Sequence, residues 1–404
     1  MGLRVSYLTD VEGMWPKLVS FAEGNPDVTL DGEELTVAPG SLFVFGGDAI
    51  DRGPDSRRVV ATLLAAKERH PDRVVLIAGN RDINKMRLVR ELAGAPPAPT
   101  PDSIKRDRPA LLRWIFESTM GARGAFGFRK QELEHEDGAS VSDEDVVDSF
   151  IADLSPGGAL VRYLAACQLA YRTGPTLFVH GGITEASLSV VPRVSAPVDD
   201  VDEWIARLNA FYRVQQAAYQ AHALDPRGAR EYKDLIDYQA PFPGMRANPR
   251  SVVYSRNADA FNNTELPTRA AIEKLARGSI DRVVVGHTPN GDSPSIRRCG
   301  RFELHVADNS YSRLNVASRV LIEDDAVTVL GSTKLDDGRI ERVRFSLARG
   351  DTGNPVGKLT VDTGHLVKGI VESGELVLYK ALPGYRTEQQ AITRVALDAR
   401  ALRE

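Results

Sequence analysis

Short apolar runs that stop at polar, chemically useful residues recur along the chain. The clearest run, residues 42–45, ends at two glycines that are followed by Asp48, Asp51 and Arg52. A short buried strand that feeds a tight loop has this pattern. The loop would present its carboxylates and its guanidinium at the carboxyl end of the strand, which is a suitable place for a metal ion and a phosphate.

Four further runs repeat this arrangement. The runs, with the polar residues that follow them, are 3–8 with Asp10 and Glu12, 74–77 with Asn80, 176–179 with His180, and 282–285 with His287. Asp48 and Asn80 are separated by about one βαβ unit, which predicts that their strands are parallel neighbours. Because ligands collect at the carboxyl ends of the strands in open α/β sheets, we expect these side chains to meet.

The remaining elements are predicted from periodicity. Residues 56–69 carry apolar side chains on one side of a helix, and residues 14–40 are interpreted as a helix followed by a turn region. Two long segments, about 90–172 and 195–245, lack the strand rhythm and are predicted to be helical insertions. Further strands are predicted at 251–254, 302–307, 319–322, 326–330, 342–347 and 375–379.

Composition and charge exclude some classes of function. The chain has 404 residues and a formal net charge of −4, without the basic stripe that binding to a nucleic-acid duplex requires. Its two cysteines, Cys167 and Cys299, have neither disulfide-framework nor zinc-site spacing, so a reducing compartment is the default. No signal peptide or membrane-spanning apolar run is apparent. We therefore expect a cytoplasmic protein that does not bind membranes, of unknown oligomeric state.

The ordered polar residues match the needs of a dinuclear metal site. Such a site takes two terminal ligand sets and one bridging carboxylate. Taken alone, Asp10 and Glu12 are more simply interpreted as a solvated acidic loop, and a lone histidine such as His180 is usually structural. The acidic stretch 132–148 is most simply a solvated face, with a partner site as the alternative. It is the recurrence of ligands after successive strands that favours a metal centre.

Four segments together resemble the calcineurin-like metallophosphoesterase superfamily. They are most similar to the phosphoprotein phosphatases and the diadenosine-tetraphosphatase-like enzymes, over roughly residues 3–310. The segments are Gly47-Asp48-Ala49-Ile50-Asp51-Arg52-Gly53, Gly79-Asn80-Arg81-Asp82, Val179-His180-Gly181-Gly182 and Gly286-His287-Thr288-Pro289.

The resemblance implies an architecture. We expect an α/β fold in which a two-sheet β sandwich is flanked by helices, within a catalytic domain of residues 1–315 that contains both helical insertions. Residues 316–404 would be a β-rich C-terminal extension packed on that domain.

The resemblance also implies roles for individual residues. Asp48 would bridge two metals, of which the first is also bound by Asp10 and Glu12 and the second by Asn80, His180 and His287. A metal-bridging hydroxide would attack a phosphomonoester or a phosphoanhydride. The expected catalytic residues are Asp51, Arg52, Arg81 and Asp82, the expected substrate-binding residues are Arg52, Arg81 and Arg256, and Asp308 would orient a ligand.

Two positions depart from the family pattern. Glu12 replaces a histidine, and this harder ligand favours Mn²⁺ or Mg²⁺, although Fe or Zn²⁺ is possible. Its added charge should raise the pKa of the attacking water, so we expect Mn²⁺ dependence and an alkaline optimum. Arg81 replaces a histidine that is thought to protonate the leaving oxygen, and a guanidinium cannot act as that acid. His305 or His222 could supply it, or could be structural.

The favoured function is therefore metal-dependent phosphatase activity. The substrate could be a phosphoprotein, a nucleotide or a phosphorylated small molecule, and the long insertions favour a small ligand because they could cover the strand ends. Without the acidic histidine, aryl phosphates and anhydrides should react better than alkyl esters. The alternative is a catalytically degenerate member that binds metal or phosphate in a regulatory or scaffold role.

Overall fold

Two central β-sheets carry the predicted strand ends. The structure is a computed structural model that describes residues 2–225, 227–323 and 325–404. Its strands are β1 (Arg4–Leu8), β2 (Val28–Asp31), β3 (Glu34–Val37), β4 (Ser41–Phe45), β5 (Val74–Leu76), β6 (Ala170–Thr173), β7 (Thr176–Val179), β8 (Arg282–Val285), β9 (Ser295–Cys299), β10 (Phe302–Val306), β11 (Arg319–Glu323), β12 (Ala326–Lys334), β13 (Ile340–Ala348), β14 (Leu359–Thr360), β15 (Leu366–Ile370), β16 (Leu376–Leu382), β17 (Arg386–Ile392) and β18 (Leu402–Arg403).

Helices surround these sheets and form both insertions. They are α1 (Trp15–Ala22), α2 (Ser56–Arg69), α3 (Asn80–Asn84), α4 (Leu88–Leu92), α5 (Arg108–Thr119), α6 (Ala125–Asp137), α7 (Asp143–Leu154), α8 (Ala159–Ala166), α9 (Val201–His222), α10 (Ala229–Tyr238), α11 (Arg269–Arg277) and α12 (Arg394–Asp398), with short 3-10 helices at Lys85–Arg87 and Asp102–Ile104. None of the helices in the described residues is long and apolar enough to cross a membrane.

The first sheet has the order β13-β12-β11-β1-β4-β5, and the second has the order β6-β7-β8-β10-β9. Strands β1, β4 and β5 are parallel in the first sheet, as are β7, β8 and β10 in the second. All five residues of β4 are buried, as expected for a strand that is covered on both faces. Tyr7 of β1 stacks on Phe178 of β7 with ring centroids 5.7 Å apart, which joins the two sheets through a shared core.

The predicted fold class is confirmed: the chain is α/β, with two packed sheets, flanking helices and helical insertions. The helix over residues 56–69 and the strands over 176–179 and 282–285 agree with the structure residue for residue. Two details were wrong. Residues 28–37, interpreted as part of a turn region, form the hairpin β2–β3, and residues 170–172, placed at the end of the first helical insertion, belong to strand β6.

The predicted strand at 251–254 is also wrong, because these residues form a turn. The Ser251 hydroxyl accepts hydrogen bonds from the backbone N–H groups of Val253 and Tyr254, at 2.9 and 3.1 Å. The N–H of Val252 donates to the Tyr238 hydroxyl at 3.0 Å. Side chains therefore satisfy backbone donors that a strand would direct to a neighbour.

The C-terminal region has two parts. Strands β11–β13 extend the first sheet, because β11 pairs with β1 in antiparallel fashion. Strands β14–β18 form a third sheet of order β17-β16-β15-β14-β18, whose apolar residues share a core with the first two sheets. The proposed division between residues 315 and 316 stays a prediction.

Candidate metal centre and its cavity

The loops that follow β1 and β4 run side by side because their strands are parallel neighbours. Asp10 N–H donates to the Gly47 carbonyl at 2.9 Å, and Glu12 N–H donates to the Asp48 carbonyl at 3.0 Å. The backbone thereby fixes three acidic side chains at one edge of the sheet. Neighbouring strand ends thus come together as the spacing of the apolar runs predicted.

Several of these residues have a left-handed backbone. The φ angles are 52° for Asp10, 52° for Glu12, 56° for Asp48 and 62° for His287. Such conformations are costly outside glycine, and they cluster where a fold must aim side chains into a functional site. Their concentration at the ends of β1, β4 and β8 marks this edge of the sheets as the candidate site.

Close packing between the loops requires glycine at two motif positions. A Cβ atom added to Gly79 would lie 2.1 Å from Asp48 Oδ1, and one added to Gly286 would lie 2.2 Å from Asp10 Oδ2. A real side chain at either position would therefore displace a carboxylate. The glycines of these two motifs let the strand ends approach one another.

One set of candidate ligands is centred on Asn80. Its Oδ1 atom lies 2.7 Å from His287 Nδ1 and 3.1 Å from His180 Nε2, while Asp48 Oδ1 lies 3.3 Å from His180 Nε2. The other ring nitrogen of His180 faces the Gly46 carbonyl at 2.8 Å, an arrangement that orients metal-binding histidines. Two imidazoles, an amide oxygen and a carboxylate converge, and this donor set fits a divalent transition metal.

A second set shares Asp48 with the first. Ligand atoms of Asp10, Glu12 and Asp48 all lie within 4.8 Å of one another, as do those of Asp48, His180 and His287. Glu12 Oε2 is buried without a hydrogen-bond partner among the described residues. The two sets therefore fit two cations with a common carboxylate.

Electrostatics at the site favour a bound cation. Burial, reinforced by the charge of Asp308, raises the pKa of Asp10 well above its usual value. Burial also raises the pKa of Glu12 to about 7, although Arg81 and Arg52 oppose that shift. A positive charge between such carboxylates would offset the cost of keeping them ionised in a buried place.

The arginines approach the site from two sides. Arg81 Nε lies 2.6 Å from Glu12 Oε1 and 3.5 Å from Asp48 Oδ2, whereas Arg52 Nε lies 3.5 Å from Glu12 Oε2. Arg256 lines the same cavity and has a buried Nε without a hydrogen-bond partner among the described residues. Glu12 is thus shared between the candidate metal set and two guanidinium groups.

Two of the predicted catalytic carboxylates lie behind the cavity wall. Asp82 is fully buried and accepts backbone N–H bonds from Asp48, Ala49 and Gly79 at 2.9–3.1 Å. Asp51 forms a buried ion pair with Lys85, with 2.6 Å between Oδ2 and Nζ. Through these contacts both carboxylates position the Asp48 loop. Neither of them lines the cavity.

All the candidate ligands except the fully buried His180 line a cavity of about 210 Å³. Its wall includes Asp308, and also residues that sequence reasoning missed. His305 is fully buried against Glu303 and, like His222, is not part of the wall. The missed residues come from an insertion, from loops and from the third sheet: Met120, Gly121, Tyr254, Pro289, Ser310, Tyr311 and Tyr385.

Some of these wall residues carried a sequence signal. Tyr311 follows β10 within a few residues and fits the pattern of functional groups after strands, so it could have been found. Met120 and Tyr385 belong to segments far away in sequence, and only the folded chain brings them to the cavity.

Comparison with known proteins shows that the chain matches the model of one protein family. A model of that family, described as calcineurin-like phosphoesterase, matches residues 8–291. A cold-active protein-tyrosine phosphatase of a psychrophilic Shewanella species is similar in structure, with 16% identity, a TM-score of 0.46, and coverage of 85% of this chain and 80% of that chain. A protein serine/threonine phosphatase of Saccharomyces cerevisiae, with similarity to human phosphatase PP5, has 12% identity, a TM-score of 0.38, and coverage of 84% and 79%. No curated protein matches the chain significantly.

Proposed function

The chain belongs to the calcineurin-like phosphoesterase family, and on that premise we propose that it is a dinuclear-metal-dependent phosphatase. The observation that carries the proposal is the pair of candidate ligand sets that share Asp48 and open into one cavity lined by Arg81 and Arg256. Such an arrangement suits phosphate hydrolysis, because it can neutralise the negative charge on the phosphoryl oxygens from several directions.

The chain offers ligands for both cations. Asp48, Asn80, His180 and His287 would hold one, and Asp10, Glu12 and Asp48 would hold the other. When bound, the two cations would supply Lewis-acid activation of a water nucleophile and neutralise charge on the phosphate. With three carboxylates in the second set, we propose Mn²⁺ as the preferred ion.

The arginines would bind the phosphate. A guanidinium donates two parallel hydrogen bonds to oxyanions, and Arg256 Nε and Arg52 Nη1 are buried donors without partners among the described residues. Arg81 would stabilise charge on the reacting group but cannot protonate the leaving oxygen. We therefore propose that substrates with good leaving groups, such as aryl phosphates or anhydrides, react fastest.

The wall of the cavity favours a small substrate. Met120 and Gly121, at the end of α5 in the first insertion, lie on one side, and Tyr385 of the third sheet lies on another. A cavity of about 210 Å³ is also below the usual range for drug-sized ligands, roughly 300–1,000 Å³. We propose a phosphorylated small molecule or nucleotide as substrate in preference to a folded phosphoprotein.

A broad panel of phosphorylated substrates, assayed on a preparation whose metal content is measured in parallel, tests the proposal. Metal-dependent turnover of small phosphate esters or anhydrides is the expected result. If phosphoproteins are hydrolysed while small esters are not, the proposed substrate class is wrong.

The second candidate function is binding without turnover. The contact of 2.6 Å between Arg81 and Glu12 favours it, because the fixed positive charge of Arg81 already engages one carboxylate of the second ligand set. In that case the metal-loaded protein would bind phosphate but would hydrolyse no member of the panel.

A further inference from the structure

Tyr385 reaches the candidate metal centre from the C-terminal sheet. It lies in the turn between β16 and β17 and lines the same cavity as Asp48 and His287. Its side chain is 55% exposed, and its backbone is left-handed, with φ at 59°. An exposed aromatic residue in this conformation is unfavourable for folding, which points to a role other than stability.

Tyr385 is part of a stack that begins at a candidate phosphate-binding arginine. Its ring lies parallel to that of Tyr311, with 4.7 Å between centroids and 9° between planes. The guanidinium carbon of Arg52 lies 3.6 Å from the centroid of the Tyr311 ring. At these distances Arg52 and Tyr385 must occupy opposite faces of Tyr311, so one face of Tyr385 is covered and the other is available to a ligand.

Hydrogen bonds connect the strand that leads to Tyr385 with the segment beside Arg256. Ala381 N–H donates to Asn263 Oδ1 at 2.7 Å, and Asn263 Nδ2 donates to the Ala381 carbonyl at 3.1 Å. The neighbouring Asn262 accepts from Arg256 Nη1 at 3.5 Å. The third sheet is therefore hydrogen-bonded to the segment that contacts Arg256.

We propose that Tyr385, supported by Tyr311, is an aromatic platform that selects phosphorylated substrates with a planar aromatic ring near the phosphate. The proposal rests on the proposed function and names its substrate class. A phenyl ring and a nucleobase both offer a π-face that stacks on tyrosine, so the ring belongs to an aryl phosphate or to a nucleotide. The C-terminal sheet then serves to complete the substrate site.

Calorimetric binding of non-hydrolysable ligands to the full-length, Mn²⁺-loaded protein tests the platform. Phenylphosphonate is compared with methylphosphonate, and α,β-methylene-ADP with methylenediphosphonate, so that the two arms separate phenyl rings from nucleobases. We expect the ligand with the ring to bind about fivefold more tightly in at least one arm, as stacking on one aromatic face allows.

Variants separate selection from support. Tyr385→Gly suits the left-handed backbone, should fold, and is expected to abolish the preference for the ring, whereas Tyr385→Phe should retain it. Phe242→Ala, at an exposed aromatic residue outside the cavity wall, is the control and should retain the preference.

Three results would overturn the platform. Equal binding of ring and non-ring ligands to the unmodified protein in both arms means that no ring is selected. If Tyr385→Gly weakens the binding of ring and non-ring ligands equally, Tyr385 only supports Arg52 through Tyr311. If no ligand of either kind binds, the proposed phosphatase function fails as well, and the platform with it.

Discussion

Replacement of Arg81 by methionine should strengthen metal binding to the ligand set of Asp10, Glu12 and Asp48. In the structure Arg81 Nε forms an ion pair with Glu12 Oε1 at 2.6 Å, and both side chains are largely buried, with 12% and 3% exposure. Any cation bound by Glu12 must share this carboxylate with the guanidinium. Removal of Arg81 therefore removes a competitor for Glu12.

The size of the effect follows from the strength of that contact. An opposite charge at this distance stabilises an ionised carboxylate by roughly 1–3 pKa units, or about 1.4–4 kcal/mol. If a bound metal ion separates Arg81 from Glu12, most of this free energy is lost on metal binding. Arg81→Met should then tighten Mn²⁺ binding at the weaker of the two sites by about 10- to 100-fold, because each 1.4 kcal/mol is tenfold. The metal-free variant should unfold more easily, by roughly 3 kcal/mol, because Glu12 loses its closest partner in a buried place.

Two measurements on the same samples check this reasoning. Calorimetric Mn²⁺ titration of metal-free protein gives the affinity and number of sites, and urea unfolding with and without Mn²⁺ gives the stability. Arg81→Lys keeps a positive charge and is the matched control, which should tighten binding less. Unchanged Mn²⁺ affinity in Arg81→Met would refute the competition for Glu12.

Three other outcomes are expected. Full metal exchange should give higher turnover with Mn²⁺ than with Zn²⁺ and an alkaline optimum, and a higher rate with Zn²⁺ would contradict the role of Glu12 as a hard ligand. Phosphotyrosine peptides should be hydrolysed faster than phosphoserine peptides of the same sequence, since Arg81 cannot protonate an alkoxide, and comparable rates would rule this out. Burial raises the pKa of Glu132 to about 7, so the folded state holds a proton that the unfolded state has lost and stability declines from about pH 4.5 to 7. Chemical unfolding gives the stability of Glu132→Gln relative to that of the unmodified protein. This difference should favour the variant more at pH 8 than at pH 4, by roughly 2–3 kcal/mol. A difference that does not depend on pH would refute the assignment.

The strands that carry candidate ligands could be predicted because they are buried on both faces. Such strands appear as continuous apolar runs, and the polar residue that ends each run is visible without any knowledge of the fold. The spacing of the runs also indicated which of them would be neighbours. Asp48, Asn80, His180 and His287 were brought together from the sequence for this reason.

Other features depend on contacts that the sequence does not display. The turn at 251–254 looked like a strand because it is rich in β-branched residues, but hydroxyl groups of Ser251 and Tyr238 satisfy its backbone. The burial of Asp82 and the ion pair between Asp51 and Lys85 depend on how the Asp48 loop packs. Tyr385 belongs to the third sheet and follows the last ligand motif by nearly one hundred residues, so its place in the cavity depends on how that sheet packs.

Turnover of an activated aryl phosphate, 4-nitrophenyl phosphate, by the purified Mn²⁺-loaded protein tests the central claim most directly. The unmodified protein should hydrolyse it in a metal-dependent manner. Asp48→Asn and His287→Ala, which each remove a ligand from the candidate centre, should lower the rate by at least about a hundredfold, as expected for loss of metal-supported charge stabilisation. Turnover that is absent, or equal in the unmodified protein and both variants, would contradict the assignment of this chain as a metal-dependent phosphatase.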